Sequence, residues 1–326
     1  MTTRFAQIEP TTRCNFTCGF CAGRSMRQGD LPWETFERFL DRNPALEHVE
    51  LQGEGEPLMH PRFFDMVARC RERNIRVSLI TNGSLLSQHA DALITADIES
   101  LDVSMESAVE LDFQSIRGGK LSKVKEGLRC LMARRREVGA DRPVVGIAVT
   151  VLRRTLGAFD GIAAFYRELG LDGGIAVQPL QRMAGYTQNY DAAMLAEIVT
   201  DDSWERYLQQ HGPQFAALRR TSHVRRFYDD LFDRWHPDYG TCPWLDRGAY
   251  LAMDGEVRTC AFQKQPEDTL GNANAPADLG DVIGRKRSLL AETLRGGVVP
   301  APCAGCATGT IAAAHVLATR RKFAPL

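Results

Sequence analysis

Six short apolar runs recur through residues 1–181, and each except the last is followed by a stretch with its apolar positions at helical spacing. The runs are FAQIEP, HVELQGEG, RVSLITNG, SLDVSME, VVGIAVTV and GIAVQPL. The amphipathic stretches lie near 33–42, 61–73, 87–96, 120–137 and 156–169. In the last of these, Ile162, Phe165, Tyr166 and Leu169 share one face. Strands that alternate with helices pack as βαβ units around a parallel sheet. Six strands are too few to close an eight-stranded barrel, so an α/β fold with an open, partial (β/α)6 parallel barrel is expected over residues 1–181. Such sheets place their chemistry at the carboxyl ends of the strands.

The alternation stops there. Residues 182–240 read as a polar helical connection, with SWERYLQQHG and HVRRFYDDLFDRW as plausible helices. Residues 241–326 form a short-stranded, cysteine-bearing segment. Within it AYLAMDGEVRTC has the pattern of a hairpin turning at Asp254-Gly255. APADLGDVI and RKRSLLAETLRGG resemble a loop and then a helix. There is no internal repeat and no low-complexity stretch.

Apolar residues make up 44% of the 326, charged residues 25%, and the net charge is −1. That balance gives no electrostatic footprint for nucleic acid or for an anionic membrane. The arginine clusters RCRERN and ARRRE read as solvated helix ends. The start MTTRFAQIEP lacks the apolar core of a signal peptide, and no run reaches membrane-spanning length. A cytoplasmic protein is therefore expected, in which nine cysteines do not form a disulfide framework.

Seven of those nine cysteines fall into two sets, Cys14, Cys18, Cys21 and Cys242, Cys260, Cys303, Cys306, which points to metal. Cys70 and Cys130 read as small buried hydrophobes on helices. Three thiolates spaced C-x3-C-x2-C are one short of a closed tetrahedral site. Either a remote histidine completes a zinc site, or the three hold a cubane iron–sulfur cluster with one iron open to another ligand.

With Phe20 before the third cysteine, this segment resembles the signature of radical S-adenosylmethionine enzymes. The resemblance extends over residues 5–181, through GEGEPLMHP (53–61), TNGSLLS (81–87) and DVSMES (102–107). It implies a cluster whose open iron chelates the amino and carboxylate groups of S-adenosyl-L-methionine, and which on reduction yields a 5′-deoxyadenosyl radical. The implied cofactor-binding residues are Phe20, Gly55, Glu56, Thr81, Asn82, Ser104 and Gln178. Gly55 and Glu56 would present a carbonyl or carboxylate to the cofactor's ammonium, and Ser104 would reach its ribose or carboxylate. The usual glycine pair before Glu56 begins here as Gly53-Glu54, which leaves the role of Glu54 open.

The second set could close either a zinc site or a fully ligated cubane. GEVRTC, LGNA and PAPCAGC resemble the auxiliary-cluster segment called SPASM in its shortened, twitch form. Two 4Fe–4S clusters and a flavodoxin or ferredoxin-type electron donor are thereby implied. The 18-residue step from Cys242 to Cys260 is similar to that of the dehydrogenases that oxidise 2-deoxy-scyllo-inosamine. A closed auxiliary cluster suits electron transfer, which favours two-electron oxidation of a small-molecule alcohol: an aminocyclitol, sugar or nucleoside in natural-product or antibiotic (aminoglycoside) biosynthesis. A peptide substrate is disfavoured because the first motif begins at residue 14, with no room for a peptide-binding element before it. The open alternatives are a radical epimerase, a decarboxylase, a redox-neutral dehydratase, a peptide-modifying maturase, and a non-enzymatic iron–sulfur or zinc protein. An epimerase needs a thiol donor, which the two spare cysteines do not offer. Gln178, Gln181, Arg182, Glu106 and Arg117 are candidates for the barrel mouth, Trp244 is expected to pack beneath the hairpin, and no catalytic base is assigned.

Overall fold

Across the first six strands, chain order and sheet order coincide. The computed structural model describes residues 2–219, 242–275 and 279–306. Strands β1 (Phe5–Ile8), β2 (His48–Leu51), β3 (Arg76–Thr81), β4 (Ser100–Ser104), β5 (Val144–Val151) and β6 (Ile175–Pro179) pair in parallel, each with the next. Helices α1 (Trp33–Arg42), α2 (Phe63–Glu72), α3 (Leu86–Thr95), α5 (Leu121–Glu137) and α6 (Phe159–Leu169) occupy the five expected stretches. A further helix, α4 (Glu110–Arg117), precedes α5 in the β4–β5 connection. Its buried apolar positions, Phe113 and Ile116, are too few for periodicity to reveal it.

All four residues of β1 and of β2 are buried, as fits strands covered on both faces. The helices supply matching stripes, such as Phe159, Ile162, Ala163, Tyr166 and Leu169 of α6. The expected α/β partial barrel is therefore present.

The hairpin also forms, but with an unexpected partner. Its first strand, β7 (Gly248–Leu251), runs parallel to β1 on the edge that β2 leaves free, with Phe5 opposite Gly248 and Ile8 opposite Leu251. The strands β8 (Glu256–Arg258) and β9 (Gly271–Asn272) then continue the sheet antiparallel. The full order is β6-β5-β4-β3-β2-β1-β7-β8-β9, an open sheet of nine strands. At the turn, Gly255 takes φ +87°, a conformation that side-chain-bearing residues rarely adopt.

Several expectations need correction. Cys130 is exposed, on the outer face of α5, whereas Cys70 is fully buried as expected. ARRRE is not wholly solvated: Arg135 is buried and donates to the Pro143 carbonyl and the Asp172 carboxylate. Arg69 and Arg73 of RCRERN do sit in surface ion pairs, with Glu37 and Asp41. The stretch SWERYLQQHG lies within a longer helix, Asp201–Arg219, while HVRRFYDDLFDRW lies outside the described residues. The last helix begins at Leu279, earlier than expected, and ends at Arg295. Among the described residues, no helix is long and apolar enough to cross a membrane.

Candidate functional site

The loop after β1 carries Cys14, Cys18 and Cys21, and it is fastened at both ends. At its start, the Thr12 hydroxyl donates to the Arg27 carbonyl (2.8 Å) and accepts from Gly29 N–H (2.9 Å). In its middle, Thr17 N–H and Gly19 N–H donate to the carbonyls of Arg117 and Ile116 in α4. Phe16 sits edge-on to Phe113 of the same helix. Helix α4 thus works as the loop's buttress.

The three sulfurs border one cavity of about 580 Å³, within the usual range for small-molecule sites of roughly 300–1,000 Å³. Cys14 Sγ faces Phe16 N–H at 3.4 Å and the Asn82 amide at 3.7 Å. Cys18 Sγ faces Arg117 Nη1 at 3.8 Å. Burial raises the thiol of Cys14, raises Cys18 to about 11 and raises Cys21 well above the usual thiol range, so unligated thiols stay protonated. A metal would have to displace those protons, and the N–H donors at Cys14 and Cys18 suit anionic sulfur. Three thiols on one wall of a cavity, with such donors, fit a cluster ligated by three cysteines.

The motif after β2 closes against this loop. A Cβ at Gly55 would lie 2.2 Å from the Thr11 carbonyl oxygen and 2.7 Å from that of Arg13, so only glycine permits this approach. Glu56 is buried, and its carboxylate accepts hydrogen bonds from Thr81 Oγ1 (2.7 Å), Asn82 N–H (2.7 Å) and Leu58 N–H (3.2 Å). Its side chain therefore pins the end of β3 to the motif. Thr81 is spent in the same bond and in accepting from Gly83 N–H. Asn82 links Cys14 to Asn15. Ser104, Gln178, Gln181 and Phe20 all border the cavity.

Arg117 borders it too, its guanidinium 5.6 Å from the Phe20 ring centroid, and Glu106, fully buried, is its ion-pair partner. Arg182 does not: it turns outward to Asp201 at 2.5 Å. Trp244 packs against Phe5 beneath the hairpin, with ring centroids 4.6 Å apart, and also borders the cavity.

Four residues here were not singled out in the sequence. Glu9, buried at the end of β1, accepts from Glu54 N–H (2.8 Å) and Met253 N–H (3.1 Å), which joins the motif to the hairpin. Lys264 pairs with Glu54 at 2.9 Å, and the Tyr186 hydroxyl donates to Glu54 at 3.1 Å. Tyr190 borders the cavity beside Tyr186. An acid ending an otherwise neutral strand and a lone lysine four residues after Cys260 were the available signals. Burial pushes the Glu54 carboxyl up, but the Lys264 ammonium and its hydrogen bonds outweigh that and hold it below the usual range.

The second cysteine set is assembled from three elements. Cys242 precedes β7, Cys260 follows β8, and Cys303 and Cys306 lie in the turns after the last helix. Burial is the main cause that raises Cys242 to about 11, Cys303 to about 12 and Cys260 higher; neighbouring thiols add to it, and Cys260 feels all three of the others. Cys260 thus lies near the other three thiols, and four cysteines are a donor set of the kind that a fully ligated cluster uses. The residues next to this set, Trp244, Ala261 and Phe262, border the same cavity as Cys14, Cys18 and Cys21.

Comparison with known proteins agrees with this geometry. Residues 8–163 match the family described as the Radical SAM superfamily. A tungsten-containing aldehyde ferredoxin oxidoreductase cofactor-modifying protein of Pyrococcus furiosus is 29% identical over 181 residues, 52% of this chain and 49% of that protein. A GTP 3',8-cyclase of Marinobacter nauticus is 32% identical over 135 residues, 39% of this chain and 41% of the cyclase. The matched stretch thus spans half or less of those relatives' lengths. Streptococcus suis SuiB bound to S-adenosylmethionine overlays with a TM-score of 0.66 at 18% identity, covering 88% of this chain and 68% of SuiB, a likeness of fold.

Proposed function

We propose, for a chain whose residues 8–163 match the Radical SAM superfamily, the oxidation of an alcohol on a small polar molecule by a radical mechanism. The observation that carries this reading is the single cavity bordered both by the first cysteine set and by the neighbours of the second. Bound S-adenosylmethionine on a reduced cluster supplies a 5′-deoxyadenosyl radical. Cys14, Cys18 and Cys21 would hold that cluster, and Phe16 N–H, Asn82 and Arg117 would stabilise its sulfurs. Arg117, a cation that borders the cavity, suits the cofactor's carboxylate. Gln7, Gln52, Thr150 and Gln178, which border the cavity, offer hydrogen bonds to a hydroxylated substrate.

Oxidation of a carbinol to a ketone releases a hydrogen atom, a proton and an electron. Cys242, Cys260, Cys303 and Cys306, placed beside the cavity through Trp244, Ala261 and Phe262, are suited to the electron's exit. An epimerase that returns hydrogen from a thiol needs that thiol at the site, and neither Cys70 nor Cys130 borders the cavity. Anaerobic reconstitution should load about eight irons per chain, as for two cubanes, and dithionite with S-adenosylmethionine should release 5′-deoxyadenosine. Candidate alcohols should then lose two mass units. About one zinc per chain with no 5′-deoxyadenosine would sink the enzyme reading, and solvent deuterium at carbon without oxidation would sink the dehydrogenase.

A further inference from the structure

Glu54 stands where the sequence pattern leaves a role open, and the structure places it between Cys21 of the first set and Lys264 of the C-terminal cysteine segment. Its Oε2 lies 3.4 Å from Cys21 Sγ, and its own carbonyl oxygen lies 3.5 Å from the same sulfur. As a thiol, Cys21 can donate to Glu54. As an iron ligand the sulfur carries no proton, and two like charges then face each other in a buried site, where Coulomb terms are only weakly screened.

Lys264 answers that problem. Its ammonium is 2.9 Å from Glu54 Oε1, its side chain is 4% exposed, and it lies over the Tyr250 ring at 4.7 Å. The backbone behind it is fixed as well: a Cβ at Gly185 would come within 2.7 Å of Lys264 Cβ. Lys264 follows Cys260 by four residues, so the compensating charge comes from the C-terminal cysteine segment and not from the barrel loop that it serves.

We propose that Lys264 is a positioning residue that neutralises Glu54 against Cys21 and so raises the reduction potential of the cluster in the first cysteine set. Reduction adds one negative charge beside Glu54, and net charge near a cluster is a main determinant of its potential. The inference rests on the reading that Cys14, Cys18 and Cys21 hold an iron–sulfur cluster.

The test is a double-mutant cycle read by redox titration of the cluster's electron paramagnetic resonance signal, assigned as the one that changes on adding S-adenosylmethionine. Lys264→Met should lower the reduction equilibrium constant at least about tenfold, roughly 59 mV for a one-electron couple. Glu54→Gln should raise it. The double variant and Lys264→Arg should each return to within about threefold of wild type. An unchanged potential in Lys264→Met, or a double variant no closer to wild type than Lys264→Met, overturns the inference. Should Lys264→Met bind no iron, the double variant decides: iron restored upholds the inference, iron still missing overturns it. Absence of a cluster in the wild-type protein overturns the underlying reading and this inference together.

Discussion

His48 shows how far burial alone can move a side chain in this sheet. It sits in β2 with almost no exposure, Nε2 paired to Ser78 Oγ at 2.8 Å, and Glu99 Oε2 4.0 Å from Nδ1, too far for a hydrogen bond. Burial, with a smaller contribution from Arg76, lowers its pKa to about 3. The folded state therefore keeps the ring neutral, while the unfolded chain protonates it near pH 6.5. The resulting stability is fully present above that value and is lost as pH falls from it towards 3. Denaturant unfolding should show wild type losing about 2 kcal/mol more than His48→Gln between pH 7 and pH 5. Equal losses in the two proteins would refute this account. Residues of this kind are invisible in sequence, since only the partners across β1, β2 and β3 make His48 buried. The seven clustered cysteines, by contrast, are legible because their spacing is local or their number is conspicuous. Glu9 and Lys264 were missed because the meaning of each charge depends on a partner dozens or hundreds of residues away.

At the level of elements, the clasp between β7 and the last helix rests largely on one side chain. Arg287 is buried, and its guanidinium donates to the carbonyls of Gly248 and Asp246, both at 2.9 Å, and to the Thr3 hydroxyl at 3.2 Å. Leu245, Ala291 and Leu294 add a small apolar contact beneath it. Arg287→Met would leave the buried Gly248 carbonyl without this donor, at a cost of about 1–3 kcal/mol, and the half-buried Asp246 carbonyl at a smaller cost. Hydrogen exchange should then quicken at residues 248–251 while α2 and α3 keep their protection. Uniform loss of protection would show that the clasp is not a separable unit. The six parallel strands and five of their helices were readable because each is a period of 2 or 3.6 written in contiguous residues. Helix α4 was not, since its role is to support the cysteine loop through backbone contacts.

For the whole molecule, the partner of β1 is the feature that sequence could not disclose. The hairpin was legible from alternation and from Asp254-Gly255, yet nothing in that pattern says which edge it joins. The pairing of Phe5–Ile8 with Gly248–Leu251 spans some 240 residues. A chain stopped after residue 219 would leave that edge open as a template for other strands. Analytical ultracentrifugation should find it self-associated where the full chain is not, and a monodisperse truncated chain would refute the prediction. The same pairing has a consequence during synthesis. The loop that carries Cys14, Cys18 and Cys21 leaves the ribosome some 230 residues before Leu251, so β1 gains its second neighbour only after that interval. At about 5–20 residues per second, that is an interval of some tens of seconds. Through that interval three oxidisable thiols follow a half-flanked strand, open to metal or oxidant before the sheet around them is complete.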